Sequence, residues 1–89
     1  MRVIFAQRAK AERNHALAQY SDPTAAARLL VRFDTATRRL GRFPLLGREG
    51  RAAGTRELLV AGTPYLLVYE IIQDQIVVLE LRHSSRPHS

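Results

Sequence analysis

Near the C-terminus the chain gathers the side chains best suited to work on a phosphate: His83 follows Arg82 and is followed three residues on by Arg86. An imidazole flanked by guanidinium groups can give or take a proton while the cations hold the phosphate charge. The same residues also have a plainer use, capping the end of the sheet or pairing with Glu80 or Glu57. Ser84 and Ser85 adjoin His83, but no buried carboxylate is in view to orient the imidazole, so a hydrolase triad is not expected. His15, His83 and His88 are too scattered to make a metal set. The chain has no cysteine, which removes thiolate nucleophiles, Cys-type zinc sites and disulfides. No cofactor or metal is expected.

The second chemical feature is a block of positive charge. Residues 28–56 hold eight arginines against Asp34 and Glu49, within a net charge of +6. Residues 57–89 hold only Arg82 and Arg86 against Glu57, Glu70, Asp74 and Glu80. A basic block attracts RNA, DNA or an acidic protein. The candidate contact residues are Arg38, Arg39, Arg42, Arg48, Arg51, Arg56 and Arg82. A solvated arginine-rich surface explains the same charge. Arg38, Arg39 and Arg42 also fall at the end of an expected helix, where cations complement the dipole. The stretch GRFPLLGREGRAAG (41–54) lacks the Gly-Lys-Ser/Thr ending of a phosphate-binding P-loop.

These residues need elements to hold them. With 89 residues, the chain is read as one domain over residues 1–89, with 83–89 a flexible tail. Residues 2–6 read as a short strand and 8–20 as a helix with a thin apolar stripe of Ala9, Ala16, Leu17 and Tyr20. Asp22 is a good N-cap and Pro23 suits the first helical position, opening a second helix. Its face is read as Ala26, Leu30, Phe33, Thr37 and Leu40, with Gly41 as the stop. Residues 41–54 read as a loop, open to motion. Three strands follow, at 55–61, 64–72 and 75–82, turning at Gly62-Thr63 and Gln73-Asp74. The middle strand is apolar on both faces, as a central strand should be. The fold class is therefore α+β, ordered β-α-α-β-β-β, a helical hairpin packed on a small, mostly antiparallel sheet. The longest apolar run, Tyr65 to Tyr69, is far short of a membrane span, and the N-terminus is too soon charged for a signal peptide. A cytoplasmic protein without a membrane partner is expected.

The segment GTRELLVAGTPYLLVYEIIQDQIVVLELRHSSR resembles the C-terminal half of the RelE/ParE toxins of type II toxin–antitoxin systems. The marks are Gly54-Thr55-Arg56-Glu57-Leu58, Pro64-Tyr65, Val68-Tyr69, and a hydrophobic strand ending in His83 and Arg86. Upstream, Tyr20, Pro23, and Pro44 before Gly47-Arg48 fit the same pattern, so the likeness covers about residues 2–86. The resemblance implies a growth-inhibiting toxin neutralised by a cognate acidic antitoxin, which is expected to lay a helix or strand across the basic, sheet-side surface. It leaves two targets: the ribosome with its mRNA, cut by RelE-like members, and DNA gyrase, poisoned by ParE-like members.

RNA cleavage needs an activated 2′-hydroxyl, a stabilised phosphorane and a protonated leaving oxygen. The resemblance places the RelE-type strand arginine on Leu66, and the two lysines of the preceding strand on Glu57 and Leu59. The C-terminal arginine falls on Arg86, and the chain ends at Ser89 before a tyrosine could follow. A nuclease reading would therefore rest on His83 and Arg86 as catalytic residues, aided by Arg56. The favoured expectation is a ParE-like toxin that acts by binding. A basic RNA-binding module or an inactive toxin homologue is the third alternative.

Overall fold

The computed structural model describes residues 1–85. Strand β1 (Arg2–Phe5) leads into α1 (Gln7–Ala18) and α2 (Pro23–Arg42). Then come β2 (Arg48–Glu49), β3 (Arg56–Leu59), β4 (Tyr65–Ile72) and β5 (Gln75–His83). The five strands form one sheet in the order β1-β5-β4-β3-β2. All neighbouring pairs are antiparallel except β1 with β5. The fold class read from the sequence is the one observed, with two refinements: a fifth strand, and a last strand that includes His83 rather than releasing it into a tail.

The Asp22 carboxylate accepts the Thr24 N–H at 2.9 Å, and Pro23 occupies the first turn, so α2 starts where expected. Its buried face differs. Leu29, Phe33, Ala36 and Leu40 are buried, while Leu30 is 50% exposed. Leu29 and Leu30 are adjacent, about 100° apart around the helix, so only one can face the core. Burying Leu29 brings small Ala36 to the sheet, and the centre of the face shifts by about one residue. Gly41 does not stop the helix, which runs on to Arg42. A Cβ at Gly41 would lie 3.0 Å from the Met1 carbonyl oxygen, and the Met1 ammonium donates to Gly41 O at 2.7 Å. That glycine admits the start of the chain.

Helix α1 buries Ala9 and Ala16, with Leu17 packed at the core margin and Tyr20 exposed beyond the helix end. Its Glu12 caps a gap in the sheet. Strand β1 pairs with β5 only as far as Phe5↔Val78. Beyond that point the Leu81 N–H donates to the Glu12 carboxylate at 3.0 Å, so the backbone donor stays satisfied. Between β4 and β5 the register steps from Val68↔Glu80 to Tyr69↔Val78, leaving Leu79 extra. This bulge puts Ile76, Val78 and Leu81 all on the helix side and Glu80 and Arg82 on the other.

Candidate functional site

Two constructions on the sheet decide which residues are free to act. The first is a clamp. The Tyr69 hydroxyl, fully buried, donates to Pro44 O at 2.8 Å and accepts the Gly47 N–H at 2.9 Å. Beside it the Arg56 guanidinium donates to Gly47 O at 2.7 Å and to Leu45 O at 3.5 Å. A Cβ on Gly47 would fall 2.7 Å from the Tyr69 hydroxyl oxygen and 2.9 Å from Glu57 O. Residues 44–47 are thus pinned to β3 and β4. The stretch read as an open loop carries β2, paired antiparallel as Arg48↔Glu57 and Glu49↔Arg56. Burial pushes the Tyr69 phenol pKa up, and the Gly47 N–H and the Arg56 charge only partly oppose it.

The second is a chain of alternating charges on the sheet face away from the helices. Arg82, only 1% exposed, donates to Glu57 at 3.3 Å and to Glu80 at 3.2 Å. Arg48 reaches Glu57 at 3.6 Å from the rim, and Arg8 reaches Glu80 at 3.3 Å and Glu12 at 3.4 Å. The Arg51 N–H also donates to Glu57. Burial pushes the Glu57 carboxyl up, but the Arg51 N–H and Arg82 together bring it below its usual range. The hydrogen bond to Glu80 is foremost in raising the Arg82 pKa.

This geometry sorts the candidate residues. Arg82, expected as a binding residue, is closed off: a side chain buried between two carboxylates presents no surface to a partner. Arg56 faces inward to the clamp. Arg38, Arg39, Arg42, Arg48 and Arg51 are exposed, with Arg38 paired to Asp34 at 3.0 Å and Arg42 lying 5.7 Å over the Phe43 ring. His83 stands opposite Tyr65, edge to ring at 5.4 Å, on the helix side of the sheet. Its Nδ1 meets the Ser85 hydroxyl at 2.7 Å. His83 and Arg82 therefore point to opposite faces, because neighbours alternate along a strand. Arg86 lies outside the described residues.

The positions that the resemblance assigns to nuclease chemistry do converge. Glu57, Leu59 and Leu66 line one shallow cavity of about 560 Å³, with Arg48, Arg51 and Ser84 among its other walls. Its floor is aliphatic, and its one carboxylate is already balanced by arginine. His83 instead opens on a separate cavity of about 260 Å³ with Glu12, His15 and Tyr65. Among the described residues no cluster could hold a metal ion, and no helix is long and apolar enough to cross a membrane.

A feature not anticipated from the sequence is a groove of about 500 Å³ between α2 and β3, walled by Ala27, Val31, Leu58 and Leu59 and rimmed by Arg28, Arg32 and Arg39. Val31 and Leu59 are 60% and 55% exposed. The signal for it was Val31 lying off the core face of α2. Strand β2 pairs with β3 only at Arg56 and Glu57, so the Leu59 edge beside this groove has no β2 partner.

A helical hairpin on a five-stranded, mostly antiparallel sheet is the architecture of the RelE/ParE toxins. The chain superposes on a chain of a chromosomal ParDE toxin–antitoxin system from P. aeruginosa with a TM-score of 0.85, covering 93% of this chain and 95% of that one at 17% identity. Residues 3–87 match the family of the ParE toxin of type II toxin–antitoxin systems, parDE, and the chain belongs to that family. It is also 43% identical over 63 residues to Y4kP of Sinorhizobium fredii, described as a candidate toxin. That match takes in 71% of this chain and 65% of the relative's length.

Proposed function

We propose that this toxin arrests growth by binding its target, DNA gyrase, rather than by cutting RNA, and that an acidic antitoxin silences it. The observation that carries the reading is the cavity of Glu57, Leu59 and Leu66. An RNA-cutting site needs cations for the phosphorane and a proton donor for the leaving oxygen. Here two of the three positions are aliphatic and the third is a carboxylate held in its charged form by Arg82 and the Arg51 N–H. The side chains that could replace them do not meet: Arg56 is tied to Gly47 O, and His83 faces the helix side. Binding, in contrast, needs only exposed cations and a rigid frame, and Arg38, Arg39, Arg42, Arg48 and Arg51 supply the cations.

Purified toxin is expected to inhibit gyrase supercoiling, with no codon-positioned cuts in translated messages. Unchanged supercoiling at excess toxin sinks the gyrase reading. Cuts abolished by His83→Ala with Arg86→Ala establish the nuclease in its place, and induced expression without growth arrest establishes an inactive homologue.

The antitoxin has a fitting place in the groove between α2 and β3. Its apolar walls suit the hydrophobic side chains of a segment that folds on binding, and its rim of Arg28, Arg32 and Arg39 suits that segment's carboxylates. The site first expected, across the basic sheet-side surface, is less apt, because Arg82, Glu57 and Glu80 neutralise one another there.

A further inference from the structure

The clamp that closes residues 44–47 onto the sheet turns some of the chain's most exposed apolar side chains outward. Phe43 is 55% exposed and Leu45 66%, while Leu46, the next residue, packs against the core. Their backbone is fixed on every side. The Phe43 N–H donates to Arg39 O and the Leu46 N–H to Phe43 O, both at 2.9 Å. Pro44 O receives the Tyr69 hydroxyl, and Leu45 O receives Arg56. A segment held this firmly has little backbone entropy left to lose on binding, which is the condition for an efficient anchor. Nothing in the core explains why two large apolar groups should be held out in water.

The surroundings specify the partner. Residues 38–48 contain four arginines and no acidic residue. The Met1 ammonium sits on Gly41 O, with the Met1 side chain 52% exposed beside this turn. Phe43 is the one ring of the set, and Arg42 lies over it. Leu45 and Met1 are aliphatic and give a nucleobase no stacking face. Apolar anchors beside Arg42, in a stretch whose Arg38 and Arg48 already pair with Asp34 and Glu57, fit a protein surface with an apolar recess and a few carboxylates at its rim.

We propose that Phe43 and Leu45 are the anchor by which the toxin grips its target, and that the target presents an acidic protein surface with an apolar recess. The proposal rests on the binding reading above but not on gyrase being the target. It assigns the target a surface next to the α2–β3 groove, whose lining includes neither residue but shares Arg39 at its rim.

The test is a Phe43→Ser, Leu45→Ser double variant of the full chain, with Phe43→Leu beside it. Four readouts are taken: growth arrest on induction, co-purification with the cognate antitoxin, thermal melting, and oligomeric state by size-exclusion chromatography. The double variant is expected to arrest growth about tenfold less effectively or worse, while it keeps its antitoxin and its melting temperature. Phe43→Leu, which keeps apolar bulk without a ring, should still arrest. Full arrest by the double variant overturns the anchor. So does loss of antitoxin or of melting temperature along with arrest, since the residues then serve the antitoxin or the fold. Loss of arrest in Phe43→Leu overturns it in favour of base stacking. A double variant that turns a dimer into a monomer overturns it in favour of self-association. Absence of arrest by the wild type removes the toxin reading and this proposal together. If wild-type toxin leaves gyrase untouched while the double variant still loses arrest, the target was misnamed and the anchor stands.

Discussion

At the scale of single residues, the marks that signal the family are mostly fold-holding. Pro44, Gly47, Arg56 and Tyr69 meet in one clamp, although Tyr69 and Gly47 are 22 residues apart. The sequence shows that such residues are present but not that they meet. Arg56 consequently read as an exposed contact, and Tyr69 only as a sheet residue. Tyr69→Phe keeps the ring and removes one donor and one acceptor, leaving the Gly47 N–H and Pro44 O without it. It should cost about 1–3 kcal/mol, the usual penalty for a buried polar group left unmade. Gly47→Ala should cost at least as much, since its methyl meets Tyr69 and the Glu57 backbone at once. Equilibrium denaturation measures both. A Tyr69→Phe variant as stable as wild type would show the clamp to be idle. Arg82 misled for a related reason: a charged side chain late in a strand reads as surface unless its partners are known. Arg82→Met leaves Glu57 and Glu80 facing each other's charge in a buried setting. A loss of about 3–5 kcal/mol is expected, and a neutral outcome would mean the carboxylates find water.

At the scale of elements, the two helices and the β3-β4-β5 meander were legible because their signals are local. Asp22-Pro23 starts α2, Gly62 turns at φ +77°, and the apolar run of β4 marks a central strand. Strand β2 was not legible, since Arg48-Glu49 has no pattern and the clamp imposes its pairing. The buried side of α2 was misjudged because Leu29 and Leu30 satisfy the helical period on adjacent faces. Correcting that rotation exposes the groove. With Leu29 inside, Val31 points away from the core toward the free edge of β3. Val31→Asp puts a negative charge into the apolar wall where an acidic antitoxin would lie. The expected outcome is growth arrest that the co-expressed antitoxin no longer reverses, with the toxin itself as stable as wild type. Normal rescue by the antitoxin would remove the groove from the antitoxin's path.

At the scale of the whole molecule, the net charge of +6 hides an unequal division of labour. The arginines of the central block, Arg56 excepted, stay exposed, while two of the four acidic residues of the C-terminal third are spent on the sheet. Glu57 and Glu80 are buried there against Arg82. That division ties stability to acid. Glu57 has a folded-state pKa below its unfolded one. Its contribution is therefore complete above the ordinary carboxylate range and is lost as pH falls through the lowered value. Arg82 is shifted upward and stays charged throughout, so it adds no slope in this window. The melting temperature should hold level from about pH 8 to about pH 6 and fall steeply below about pH 4. Glu57→Gln should melt lower than wild type at neutral pH, because Arg82 loses one carboxylate. Its curve should be flatter in acid, so that the two converge as pH drops. Parallel curves would mean that a different carboxylate governs acid unfolding. Added salt should move the wild-type curve little, since the Glu57–Arg82 pair is shielded from solvent.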